Sequence, residues 1–283
     1  MRSAAALALL LAAPAAAPAH PAVSVVRDAA GHVYYSDIAR VWRVAPDGAH
    51  TVFVPDVHTH ELAVDSAGRL LGEHLWYDPG RSEPWRHYLW RATPDGRKER
   101  LTPDTAGFRR DHGFALDARD RPHWVERSAE HGATVLRRES DGRVTTVARI
   151  PALRNVRWYT CSPDGTVYLV NDNDLFRVAP GGQVNRLARD LAGPDAAERD
   201  HAVMGLWADD TGTVHAAVPA LGAVKRITPD GNVAVVDRST PPWRPSGVLA
   251  EPGGALWVLE YEPGNAMRLR HVRPDGSARV HGP

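Results

Sequence analysis

One cysteine, Cys161, stands among 283 residues. A lone thiol cannot close an internal bridge or supply a CxxC zinc pair, so stability must come from packing, and Cys161 itself lies in an apolar alternating run. Neither sign of charge prevails, with 34 Lys and Arg against 34 Asp and Glu, which removes the basic field expected of a nucleic-acid or membrane-surface binder. Beyond the first 19 residues no tract of low complexity occurs, no apolar run could span a bilayer, and no long stretch has the period of an amphipathic helix. A phosphate-cradling glycine loop and a nucleophile-elbow serine are also missing. What remains is a chain with 43% hydrophobic residues, a globular proportion.

Residues 1–19 differ from the rest. Arg2 gives a positive start, Ala4 to Ala13 form a short apolar core, and Ala17-Pro18-Ala19 offers small residues for cleavage. The expectation is a secretory signal peptide over 1–19, a secreted or periplasmic protein, and a single folded domain over 20–283, without a membrane span.

Turns then punctuate the chain at intervals of 40 to 49 residues: Asp47-Gly48, Asp95-Gly96, Asp141-Gly142, Gly181-Gly182, Asp230-Gly231 and Asp275-Gly276. A second set falls between them, at Gly31, Gly68, Asp120, Gly165, Gly212 and Gly254. Short runs rich in Val, Leu, Tyr and Trp flank each turn, and Asp-Gly between such runs signals a hairpin because its glycine takes positive φ without steric penalty. Four strands per repeat at this period predict propeller blades, at about 22–55, 59–104, 111–150, 154–191, 201–240 and 243–282. One blade cannot bury both of its faces, so the units must close into a ring. The fold expected is an all-β, six-bladed β-propeller with four antiparallel strands per blade, and its strand tryptophans, Trp42, Trp90, Trp124, Trp207 and Trp257, are expected to fill the spaces between blades.

In such a blade the start of the first strand and the end of the second share one mouth of the central channel. Eight positions before the inner turn the chain carries Val23, His60, His112, Arg157, Met204 and Ser246; six positions after it come Asp37, His74, Glu126, Asn171, Val218 and Glu260. These columns are mostly polar, and buried polar groups must be wet, paired or bound to a ligand. His60, His112 and Glu126, with Glu260 approaching from blade 6, could hold a divalent ion (Mg, Ca or Zn) or serve as acid–base groups. Arg157 could meet a substrate anion. The stretch 73–90 is expected to form a loop over this mouth, bringing His74, Trp76, Tyr77 and Trp85 to a flat or sugar-like ligand.

The phrases SPDG at 162–165 and ALWVLEYEPGNAMRLRHVRPDG at 255–276, with the repeated PDG turns, resemble the SMP-30/gluconolactonase and NHL-repeat propellers and the streptogramin lyases. His60, His112 and Glu126 match the lyases' histidines on consecutive blades followed by a glutamate fourteen residues after the second. In that family such residues serve a magnesium-assisted elimination that opens a cyclic ester. The chain departs from it at Arg110, where the lyases carry a glutamate, and in having six blades rather than seven. It departs from the lactonases at Arg157, Met204 and Ser246, where metal ligands would stand. Two functions follow as expectations: a divalent-metal-dependent hydrolase or lyase on a small ester, lactone or sugar-derived ligand, with His112, Glu126 and Arg157 in catalysis, or a non-catalytic propeller binding a glycan, peptide or protein. No organic cofactor, no nucleic acid and a monomeric state are expected in either case.

Overall fold

The computed structural model describes residues 21–107, 114–194, 196 and 201–282. Within them lie six antiparallel sheets, each built from consecutive strands paired in chain order, which is the six-bladed propeller expected. Blade cores run over 25–54, 62–100, 115–150, 156–188, 206–238 and 244–281, close to the repeat boundaries set by the turns. The glycines of the six outer turns have φ between +82° and +88°, values that exclude most side chains and explain why the punctuation is so regular.

Blade 1 contains its own inner strand, Val25–Arg27, paired with Val33–Ser36, so the ring closes without exchanging a strand between its ends. Packing does the closing: Ala22, Val25, Val33 and Tyr35 of blade 1 bury against Leu249, Trp257, Leu259 and Leu269 of blade 6. Trp42 and Trp207 pack against the edge of the same cluster, and Trp90 fills the seam between blades 1 and 2.

The turn from first to second strand uses a repeated acid. Asp65 accepts backbone N–H groups from Ala67 and Arg69 and holds the Arg69 side chain; Asp117 does the same for Arg119 and Arg121. Six positions on from these acids, Tyr34, His123 and Trp257 reach back to Asp28, Asp117 and Glu251. These acids lie at the face opposite the starts of the inner strands and are structural, since Asp28, Asp65 and Asp117 are taken by their own turns and Glu251 by Trp257 and by Arg27 of blade 1.

The inner strands enclose a central cavity of about 430 Å³, lined largely by Val, Ala and Leu and by backbone. At the face where the inner strands begin, backbones from three blades nearly touch. A Cβ placed on Gly205 or on Gly247 would stand 2.4 Å from the Val23 carbonyl oxygen. Inter-blade hydrogen bonds from Gly205 N to Ser246 O (2.9 Å) and from Val23 N to His60 O (2.9 Å) draw blades 5, 6, 1 and 2 together there.

Candidate functional site

Blade 2 builds the polar centre of this face. His58, Thr59 and His60 lie on the segment entering its inner strand, Leu62–Val64. Glu73, His74 and Trp76 lie on the long second strand, Leu70–Tyr77. Neighbouring residues of a strand point to opposite faces, so Glu73 and His74 serve different surroundings.

On one side, Glu73 (6% exposed) and His60 (7%) meet in a buried pair, His60 Nδ1 standing 3.7 Å from Glu73 Oε1. The far nitrogen of the same ring, Nε2, is 3.2 Å from His58 Nε2. A carboxylate, a buried imidazole and a half-buried imidazole thus form a line from the blade interior outward. The contact between the two Nε2 atoms requires one proton between them, donated by whichever ring is the Nε2–H tautomer. Thr59 Oγ1 accepts the Glu73 N–H (3.2 Å) and the Glu73 carbonyl accepts the Trp90 indole N–H (2.7 Å), so both strands carrying the line are fixed.

On the other side, His74 Nδ1 accepts the His58 backbone N–H at 3.0 Å. Burial, reinforced by the Lys98 and Arg100 charges, holds His74 below the usual histidine range, as a ring that accepts through Nδ1 must be. Trp76 and Tyr88 pack around it, with ring centroids 5.5 and 5.0 Å from His74, and the Arg100 guanidinium lies 4.1 Å over Tyr88.

The aromatic excursion is a strand pair rather than a loop. Leu70–Tyr77 and Trp85–Ala92 pair along their whole length, ending at Tyr77 opposite Trp85, and Thr105–Ala106 adds to the outer end. Bulky aromatics favour a pleated ribbon, and Asp78-Pro79-Gly80 supplies its turn. Tyr77 (57% exposed) and Trp85 meet edge to face at the tip, with centroids 5.3 Å apart.

The remaining predicted positions scatter. His112 lies outside the described residues. Glu126 is exposed, on the strand Pro122–Ser128 opposite Thr134. Arg157 is exposed at a bulge between Val156 and Trp158. Glu260 is fully buried, with Arg268 Nε at 2.7 Å from one oxygen and Arg270 Nε at 3.0 Å from the other. Two guanidinium groups already satisfy this carboxylate, so it offers nothing to a cation. Asn171 is likewise occupied, accepting the Asn155 N–H and donating to Asp172.

As for an ion, no three His, Cys, Asp or Glu side chains among the described residues converge to hold one. The predicted ligand set is therefore not assembled by the residues described. Missing from the sequence reading were Glu73, and His58 as the partner of His60. The signal for His58 is its spacing: residues i and i+2 of an extended segment share a face.

No family model matches the chain. A virginiamycin B lyase of Nocardia farcinica (strain IFM 10152) is 30% identical over 166 residues, 54% of this chain and 56% of that protein. The aligned stretch is thus little more than half of the relative's length. A catalytically inactive variant of Staphylococcus aureus virginiamycin B lyase, solved with quinupristin, superposes with a TM-score of 0.56 at 14% identity, covering 93% of this chain and 84% of that one. A solved protein assigned as a gluconolactonase superposes at 0.59, with 17% identity and coverage of 92% and 89%. The chain shares its propeller fold with these proteins. Of the families that its turn and strand phrases resemble, the gluconolactonases and the streptogramin lyases are found again by similarity.

Proposed function

We propose that the protein is an exported hydrolase or lyase that opens a small cyclic ester or lactone. In this reading the site is at the channel mouth of blade 2. The observation that carries it is the buried line Glu73–His60–His58, with 3.7 and 3.2 Å between successive groups. A carboxylate behind an imidazole fixes its tautomer and orientation, and the second imidazole extends the path for a proton toward solvent. His60 is the acid–base group, Glu73 its positioning residue and His58 the outer relay. His112 and Glu126, matched by spacing to the lyases, are proposed as further catalytic groups, and Arg157, exposed on blade 4, as the group that meets a substrate anion.

The experiment is a comparison of the wild-type protein with His60→Gln on a panel of lactones and cyclic depsipeptides. Ring opening should be lost in the variant while its thermal unfolding midpoint stays put. Equal activity in the two proteins contradicts the assignment.

A second reading has its own observation. The exposed Tyr77 beside Trp85 at the ribbon tip, above Trp76 and Tyr88, is a surface on which a glycan or peptide could stack. Binding that survives His60→Gln but fails with Trp85→Ala would favour this reading.

A further inference from the structure

A second cavity, of about 610 Å³, lies at the same face of the ring but on the far side of it, over blades 5 and 6. Its walls come from the end of blade 4, where Ala192 and Pro194 stand, and from Ala202 on the way into blade 5. The turn of 3-10 helix Pro219–Leu221, which follows the second strand of blade 5, adds Leu221, itself 42% exposed at the rim. Blade 6 contributes two polar groups, Arg244 at the start of its inner strand and Tyr261 at the end of its second, which are paired across the ladder and stand side by side.

Arg244 is the group to explain. Its side chain is exposed and makes no ion pair or hydrogen bond with another described residue, although a carboxylate, Glu260, is next in sequence to its ladder partner. That carboxylate is fully buried and taken by Arg268 and Arg270, and the second arginine also holds Asp237. These two described acids are thus neutralised by other cations, and Arg244 is left with its charge turned to a cavity whose other walls are Ala, Pro, Gly and Leu with the polar groups of His201 and Tyr261.

We infer that this cavity binds a small carboxylate with an apolar body. The volume lies within the range of small-molecule sites, and an alanine, proline and leucine surface beside a few polar groups, one of them a permanent cation, fits that description. A guanidinium meets a carboxylate with two parallel hydrogen bonds, which fixes the head of the ligand while the body rests on the alanine, proline and leucine surface. A phosphate, carrying more charge, would call for further cationic donors, and Arg244 is the one permanent cation among the described lining residues. The inference is independent of the proposed chemistry on blade 2, because it concerns binding alone.

The test is calorimetric titration of the full chain with phenylacetate, with its uncharged isostere phenylacetamide, and with inorganic phosphate. Phenylacetate should bind saturably. The amide should bind roughly tenfold more weakly or worse, the loss expected when a charge-assisted contact is removed. Arg244→Gln should show the same loss for phenylacetate with its thermal unfolding unchanged, whereas Arg244→Lys should retain part of the affinity. Equal affinity for acid and amide, undiminished binding by Arg244→Gln, tighter binding of phosphate than of phenylacetate, or no binding at all would each overturn the inference.

Discussion

His60 meets Glu73 on one side of its ring and His58 on the other, and each contact can be removed separately. Replacing it by Gln keeps a polar side chain of similar reach but removes the titratable ring, so ring opening should fall by roughly 100-fold or more. Glu73→Gln keeps the shape and removes the charge behind the imidazole. If Glu73 positions the ring rather than touching substrate, this variant should lower kcat with little change in KM and should move the acid limb of the pH–rate profile, which a merely structural residue would not do. Part of this centre was legible in the sequence. Counting from the inner turn picked out His60 and His74, because the hairpin fixes which residues return to the same mouth. The same count put Glu260 in the site, and there it failed. A column shows which residues share a level of the ring but not which neighbours claim them, and Arg268 and Arg270 stand eight and ten residues away along the chain.

The element that shapes the site is the eight-residue strand pair of blade 2, and one contact anchors it. Trp90 is fully buried opposite Gly72, whose added Cβ would lie 2.2 Å from the indole ring. Gly72→Ala must therefore displace Trp90, and its urea midpoint should fall, with a loss of about 1–3 kcal/mol as for other overpacked cores. Trp90→Ala should cost more, about 3–5 kcal/mol, because it empties the seam between blades 1 and 2. The strand character of 73–90 was hidden by its length. Reading it as a loop gave weight to Pro79 and Gly80 at its centre, whereas the register from Leu70 opposite Ala92 to Tyr77 opposite Trp85 shows that those residues make only the turn.

Across the whole molecule, the ring was legible because it is the same hairpin chemistry written six times. The turns fix where chain direction reverses, and the apolar strands between them leave no other way to bury both faces of a blade. Its response to acid follows from histidines used as packing groups. Burial, with the nearby Arg226 charge, pushes His215 down to about 4, and burial with Arg279 and neighbouring histidines pushes His281 to about 4. Burial also lowers His50 and His123. Because the folded protein keeps these rings neutral while the unfolded chain protonates near 6.5, their contribution is fully present above pH 6.5 and is lost as the pH falls from there to about 4. Thermal unfolding midpoints should therefore drop across that window. His215→Phe, which retains a packed ring beside Trp207, should make the drop shallower.

The proton transfer proposed for the Glu73–His60–His58 line at the mouth of blade 2 would accompany the opening of an ester ring. The direct measurement is mass spectrometry of a cyclic depsipeptide such as quinupristin after incubation with the wild-type protein, His60→Gln and His58→Gln. Opening by elimination leaves the mass unchanged and creates a linear alkene, whereas hydrolysis adds one water; either product from the wild type, and little or none from His60→Gln, is the result expected. Linear product forming as fast with His60→Gln as with wild type would contradict the claim.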